Sequence, residues 1–200
     1  MSLVETLRYA LDLGHRRAPV LIPGDPFDPS LEPDVAIVPA AVLVAVVDRP
    51  VPTVILTLRT DTVTRHAGQI AFPGGRLDPG DDDAVAAALR EAEEEIGLPR
   101  GEVEIIGVAD RYRTITGYEV TPVVGVIPPD LAFVAQPSEV AAIFEAPLHY
   151  LLEPDHQHIR TMMWRGYQRS FYEIDYEGRR IWGATAAMIV NLGRRLELAA

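Results

Sequence analysis

The segment from Gly74 to Leu98 constrains this chain more than any other. Two adjacent glycines stand straight after the apolar stretch Ile70-Ala71-Phe72-Pro73. An acidic loop follows (Asp78, Asp81, Asp82, Asp83), then an alanine-rich run from about Asp83 to Ile96 that Gly97 and Pro99 stop. At 100° per residue, Val85, Ala88, Leu89, Ala92 and Ile96 share one stripe, which predicts an amphipathic helix lying on a core. Glu91, Glu94 and Glu95 stand at i, i+3 and i+4 and share a second face. Ala84 and Ala87 are on that face and leave space above it, while Glu93 points elsewhere. Three carboxylates so placed repel one another, and they sit at the helix end where the backbone dipole disfavours anions. Arg90, one i,i+4 step from Glu94, offsets part of this. A hard divalent cation offsets more, because Mg²⁺ takes carboxylate oxygens, waters and phosphates as ligands. A solvated charged face is the plain alternative. Against it stands the glycine pair, whose missing Cβ lets backbone carbonyls approach a metal or phosphate.

Composition narrows the choice. The chain has 200 residues, enough for one domain with a real core. Cysteine is absent, which excludes a disulfide framework, a thiolate metal site and a cysteine nucleophile. The 29 acids outnumber 18 bases for a net charge of −11, and every base is arginine. A Schiff-base lysine and a P-loop lysine are therefore excluded. The acidic balance argues against a nucleic-acid partner. Eight of the 29 acids lie between Asp78 and Glu95, against Arg90 alone among bases there. The first residues show no signal-peptide pattern. The longest apolar run, Val35 to Val47, is broken by Pro39 and is shorter than the ~20 residues of a membrane span. No membrane partner and a cytoplasmic location are expected.

Along the chain, Leu3, Leu7 and Leu11 predict a short helix over 2–17, and the five prolines of 18–33 predict a connecting arm. Residues 1–34 are therefore set apart from a main domain, 35–200. Strands are predicted at 35–48, 53–59, 69–72, 103–109 and 120–127, with a turn at Pro73-Gly74-Gly75. Segment 138–145 is ambiguous and 147–152 predicts a helical turn. Residues 169–176 and 179–182 predict a hairpin around Glu177-Gly178, and 184–198 a closing helix. The mixture lacks regular βαβ alternation and points to a layered α+β domain.

Residues Arg90 to Leu98 resemble the second half of the Nudix box, G-x5-E-x7-R-E-U-x-E-E-x-G-U with U apolar. In the first half, Asp82, separated from Arg90 by seven residues, stands in place of Glu, and its gap from Gly75 is six residues instead of five. Upstream, Ile55-Leu56-Thr57-Leu58-Arg59-Thr60 and Arg65 to Gly75 resemble the signature of the coenzyme A pyrophosphatase branch, with Thr64 at the second Arg position. Ile115–Tyr118 and Val120–Gly125 resemble that branch too. The resemblance implies a Nudix fold, an α/β/α sandwich with a mixed curved sheet. It implies metal-dependent hydrolysis of the diphosphate of coenzyme A, or a derivative, to 3′,5′-ADP and 4′-phosphopantetheine, with Mg²⁺ or Mn²⁺ as cofactor.

The resemblance also implies roles. Glu91, Glu94, Glu95 and a Gly74 or Gly75 carbonyl are the expected metal ligands, Glu91 and Glu95 the inner ones. Glu94, Glu95 and Arg90 are the expected catalytic residues of the box. The general base is a box glutamate or one from a later loop, Glu139 or Glu145. Arg59, Arg65, His66 and Gln69 are expected to bind a small-molecule nucleotide diphosphate. His149, His156 and His158 lack metal-site spacing, and Trp164, Tyr167, Phe171 and Tyr172 are expected in core or interface packing. A homodimer is one assembly open to such a chain. Two other readings compete: a hydrolase of another diphosphate derivative, such as NADH or ADP-ribose, and a non-catalytic Nudix module that senses a nucleotide.

Overall fold

The strand Val38–Val47 (β1) explains the layering. Its residues alternate between two apolar environments, Ala41, Leu43 and Ala45 on one face and Ala40, Val44 and Val46 on the other. A strand apolar on both faces must be covered on both. In this computed structural model, residues 1–16, 22, 37–61, 68–164 and 166–196 are described, without the side chains of Trp164 and Tyr167. The predicted arm, apart from Ile22, and the candidates Arg65 and His66 lie outside the described residues.

One edge of β1 pairs in parallel along its whole length with β7, Tyr118–Ile127. Its other edge is shared. Val46 and Val47 pair with the start of β2, Thr53–Arg59, while Ala40 to Val42 pair with Gly74–Arg76, β4. β2 therefore parts from β1 after two residue pairs and runs on against Ile70–Ala71, β3. The segment β3–Phe72–Pro73–β4 fills the fork. Residues Gly74 and Gly75, predicted as a turn, are thus strand; the pairing partner that makes them so is far away in sequence. Gly74 has to be glycine because a Cβ there would run into the Ala41 carbonyl oxygen and lie 2.6 Å from Val42 Cα.

Glu104–Val108 (β5) and Tyr112–Arg113 (β6) extend the sheet from β7, and Val140–Pro147 (β8) from the outer edge of β2. The ambiguous segment 138–145 is therefore largely strand. A second sheet is antiparallel, in the order β11 (Arg179–Trp182), β10 (Tyr167–Tyr176), β9 (His158–Trp164). The hairpin predicted there is present, with β9 added to it.

Helices cover both faces of the large sheet. α1 (Leu3–His15), α3 (Leu148–Leu152) and α4 (Ala184–Leu196) pack on the face carrying Val44, Val46 and Leu56. Leu7 and Leu11 bring α1 into this core, and a Cβ at Gly14 would strike the Arg195 backbone carbonyl of α4. α2 (Ala84–Ile96) covers the opposite face with Ala87, Ala88, Ala92 and Ile96, all fully buried beside Ala41, Leu43 and Ala45. Ala87 thus belongs to the buried stripe instead of leaving room above the glutamates, and Val85 and Leu89 flank it half-buried. Small residues on both sides let the helix lie close to β1. This is the α+β, α/β/α sandwich expected. Among the described residues no helix is long and apolar enough to cross a membrane.

Candidate active site

Helix α2 is fixed at both ends by its own sequence. The Asp83 side chain caps the start by accepting from Ala86 N at 2.8 Å, and Gly97 ends it in the left-handed region at φ 67°. Between these limits the periodicity turns Glu91 and Glu95 toward β4. Glu95 is 3% exposed. One of its oxygens accepts from Gly74 N at 3.2 Å and the other from Arg59 Nη1 at 3.4 Å. Arg59 reaches it because it ends β2, the strand that the fork has turned away from β1. The Arg59 Nε is buried and has no hydrogen-bond partner among the described residues.

Glu91 lies against Gly75, where an added Cβ would sit 2.5 Å from the Glu91 carboxyl carbon. Gly75 is thus a cradle for a carboxylate. Arg90 ties the loop to the helix. Its Nη1 donates to Glu91 at 2.9 Å and to Glu94 at 3.2 Å, its Nη2 to the Arg76 carbonyl at 3.0 Å. Its Nε and Nη2 grip both oxygens of Asp81 at 3.0 and 2.8 Å. This corrects the sequence assignment of the first acid. Asp82 is exposed, and Asp81 is the loop acid that holds Arg90 with both its oxygens. Counted from Gly75, Asp81 also restores the five-residue gap, so the spacing itself held the signal; the extra residue falls between Asp81 and the helix.

Charge is unevenly compensated here. Arg90 and the Asp78 backbone hold the Asp81 carboxyl down at about 2. Burial pushes Glu95 up to about 7; Arg59 and Gly74 N oppose the rise, while Glu91 and Glu139 add to it. Burial also raises Glu91, against Arg90. Glu139, exposed in the loop before β8, is therefore close enough to be felt by both buried acids. Its position is anchored: Gln136 N donates to the Glu95 carbonyl, Glu139 N to the Gln136 carbonyl, and Thr60 N to the Glu139 carbonyl.

The other candidates separate clearly. Gln69 stands next to Arg59, whose backbone N donates to the Gln69 carbonyl at 2.9 Å. Glu94 is 59% exposed and shares Arg90 with Glu91. Glu145 is engaged elsewhere: it makes a two-pronged ion pair with Arg49, both contacts at 2.9 Å, accepts from Thr53, and is held below the usual carboxylate range by Arg49. That pairing removes it as a base. His156 stacks on Tyr150 with ring centroids 3.8 Å apart, and Phe171 meets Trp182 edge-on, both packing roles.

Glu91, Glu95 and the Gly75 cradle offer oxygen donors only, which suits a hard cation. Among the described residues no three acidic or imidazole side chains converge as a closed metal cage. Mg²⁺ does not require one, being held by one or two carboxylates together with waters and substrate phosphates.

A strand fork bearing a glycine pair, under a helix that presents clustered carboxylates and one arginine, defines an α/β/α domain of the Nudix class. The model of the NUDIX domain matches residues 38–169. The chain is 46% identical over 157 residues, 78% of this chain and 82% of the relative, to the uncharacterized Nudix hydrolase NudL of Escherichia coli (strain K12). The same figures hold for the NudL of Escherichia fergusonii. Among solved structures, the Nudix hydrolase RenU from M. Smegmatis shares 22% identity with a TM-score of 0.48, covering 56% of this chain and 72% of that one. The chain belongs to the Nudix hydrolase family, whose reaction is hydrolysis of nucleoside diphosphate derivatives and whose members generally require a divalent metal ion.

Proposed function

We propose that this protein hydrolyses the diphosphate bond of coenzyme A or an acyl derivative. Water is added across the P–O–P bridge, giving 3′,5′-ADP and 4′-phosphopantetheine. The observation that carries the reading is the meeting of Arg59 and Glu95 at 3.4 Å. Arg59 belongs to the stretch that resembles the coenzyme A branch and Glu95 to the Nudix box, so the two motifs build one site.

In this reading Glu91, Glu94 and Glu95, with a carbonyl of the Gly74–Gly75 strand, would hold Mg²⁺ or Mn²⁺. The cation supplies Lewis-acid polarisation of the phosphoryl group and cancels the negative field that would repel a diphosphate. Arg90 fixes the rotamers of Glu91 and Glu94. Glu139, exposed in the loop before β8, takes the proton of the attacking water. Arg59 orients Glu95 and, in this reading, binds the substrate phosphates together with Gln69; the family resemblance adds Arg65 and His66 to that role. With lysine absent, any direct cationic contact to the substrate falls to arginine or a protonated histidine such as His66.

The test is a substrate panel with Mg²⁺ or Mn²⁺, containing coenzyme A, acetyl coenzyme A, NADH and ADP-ribose, ranked by kcat/KM with products resolved by chromatography. Coenzyme A or its acyl form leads the ranking. If another diphosphate stands well above both, the branch assignment is wrong while the family chemistry survives.

A further inference from the structure

Strand β9 ends the three-stranded sheet, and among the described residues β10 is the only strand paired with it. Its first six residues, His158 to Met163, are all exposed. Three are large and apolar: Ile159 at 62%, Met162 at 38% and Met163 at 66%. Natural edge strands are blunted with lysine, proline, bulges or inward charges, and β9 carries no lysine or proline. Its one fully charged residue, Arg160, is bonded within its own sheet to Glu173 at 3.1 Å. The edge therefore presents a row of backbone donors and acceptors with apolar side chains on both faces.

We propose that β9 pairs antiparallel with β9 of a second copy, on a two-fold axis at Thr161. The strand complements itself in this register. Ile159 falls opposite the second copy's Met163, Arg160 opposite Met162, and Thr161 opposite Thr161. His158 takes the register position opposite Trp164, so all seven residues are paired. Shifting the axis to Arg160 sets two arginines directly opposite each other, which destabilises a cross-strand pair. Shifting it to Met162 leaves His158 and Ile159 unpaired. A two-fold contact of this kind is closed, so it yields a dimer and not a fibre. It also turns two three-stranded sheets into one continuous sheet, where a short ribbon alone is marginally stable.

The absence of cysteine makes the test clean. Directly opposed residues in an antiparallel pair have Cα atoms about 4.5–5.5 Å apart, inside the ~4.4–6.8 Å range of a disulfide. Thr161→Cys should form a disulfide-linked species of twice 22.0 kDa under mild oxidation. It should do so at least ~10-fold faster than Val51→Cys, an exposed position between β1 and β2, because pairing replaces bulk encounter with a ~millimolar effective concentration. Ile159→Cys mixed with Met163→Cys should cross-link, and neither should do so alone. The Ile159→Lys, Met163→Lys double variant should shift the parent dimer to monomer in light scattering, with unchanged circular dichroism. Equal rates for Thr161→Cys and Val51→Cys, or a parent that scatters as a monomer at its highest soluble concentration, would overturn the proposal. If the lysine variant fails to fold, the cysteine rates decide.

Discussion

Removing the Glu95 charge while keeping its shape separates what this residue does for the site from what it costs the fold. Its carboxyl is 3% exposed and its pKa is raised from 4.5 to about 7, chiefly by burial. The folded protein therefore keeps the Glu95 proton up to about pH 7, whereas the unfolded chain releases it near 4.5. Between those values the native state binds more protons, so raising the pH lowers stability, and above about 7 the loss from this group is complete. The span from 4.5 to about 7, at about 1.4 kcal/mol per pH unit, comes to about 3 kcal/mol. Glu91, also raised, acts in the same direction. The assay is urea unfolding in a chelator at pH 5 and pH 8.5, for the parent and for Glu95→Gln. The parent should lose about 2.5 kcal/mol more than the variant across that interval, since the unfolded carboxyl is already largely ionised at pH 5. At pH 5 the parent's Glu95 is protonated and has no ion pair with Arg59 to lose; the attraction of Arg59 for the ionised form at pH 8.5 is already contained in the pKa of about 7. Adding Mg²⁺ at about 100 times its Kd should return roughly 2.7 kcal/mol to the parent at pH 8.5, and less to the variant. Parallel pH profiles for the two proteins would refute the reasoning.

Gly75→Ala leaves β4 paired with β1 but pushes the Glu91 carboxylate out of its cradle; a ~10–100-fold fall in activity or metal affinity is expected, with a near-parental unfolding curve. Asp81→Asn loosens the grip on Arg90 and should cost ~10-fold or more in kcat/KM. Because the folded Asp81 pKa lies at about 2 against 3.8, its contribution to stability is complete above 3.8 and fades as pH falls through about 2, which acid titration of parent and Asp81→Asn would show. Glu139→Gln should lower kcat by ~10²–10⁴ with little change in stability. Glu145→Gln should do the reverse, costing about 1 kcal/mol through the half-exposed Arg49 pair with kcat unchanged.

What the sequence revealed depended on whether the cause was local. Helix α2 was legible because its periodicity, its Asp83 cap and its Gly97 stop all lie within fifteen residues of one another. β4 was not, because two glycines carry no strand signal and only pairing with Ala40 to Val42 makes them one. β9 escaped for the opposite reason: it is exposed on both faces, so its apolar residues follow no alternation. At the site, the shared face of Glu91, Glu94 and Glu95 followed from helix geometry, and the resemblance set it beside the glycine pair. The bond from Arg59 to Glu95 did not, since it requires β2 to part from β1. The choice between Glu139 and Glu145 likewise needed Arg49, 96 residues from Glu145, which binds that carboxylate.

In the proposed function, the buried Glu95 carboxylate and a divalent cation act together on the diphosphate of coenzyme A. The direct measurement follows coenzyme A with purified protein and Mg²⁺, resolving products over time. 3′,5′-ADP and 4′-phosphopantetheine are expected in equal amounts, with formation abolished by a chelator and a rate at least ~100-fold lower in Glu95→Gln. Undiminished hydrolysis in Glu95→Gln or in the presence of chelator, or no 3′,5′-ADP at any enzyme concentration, would contradict the proposed function.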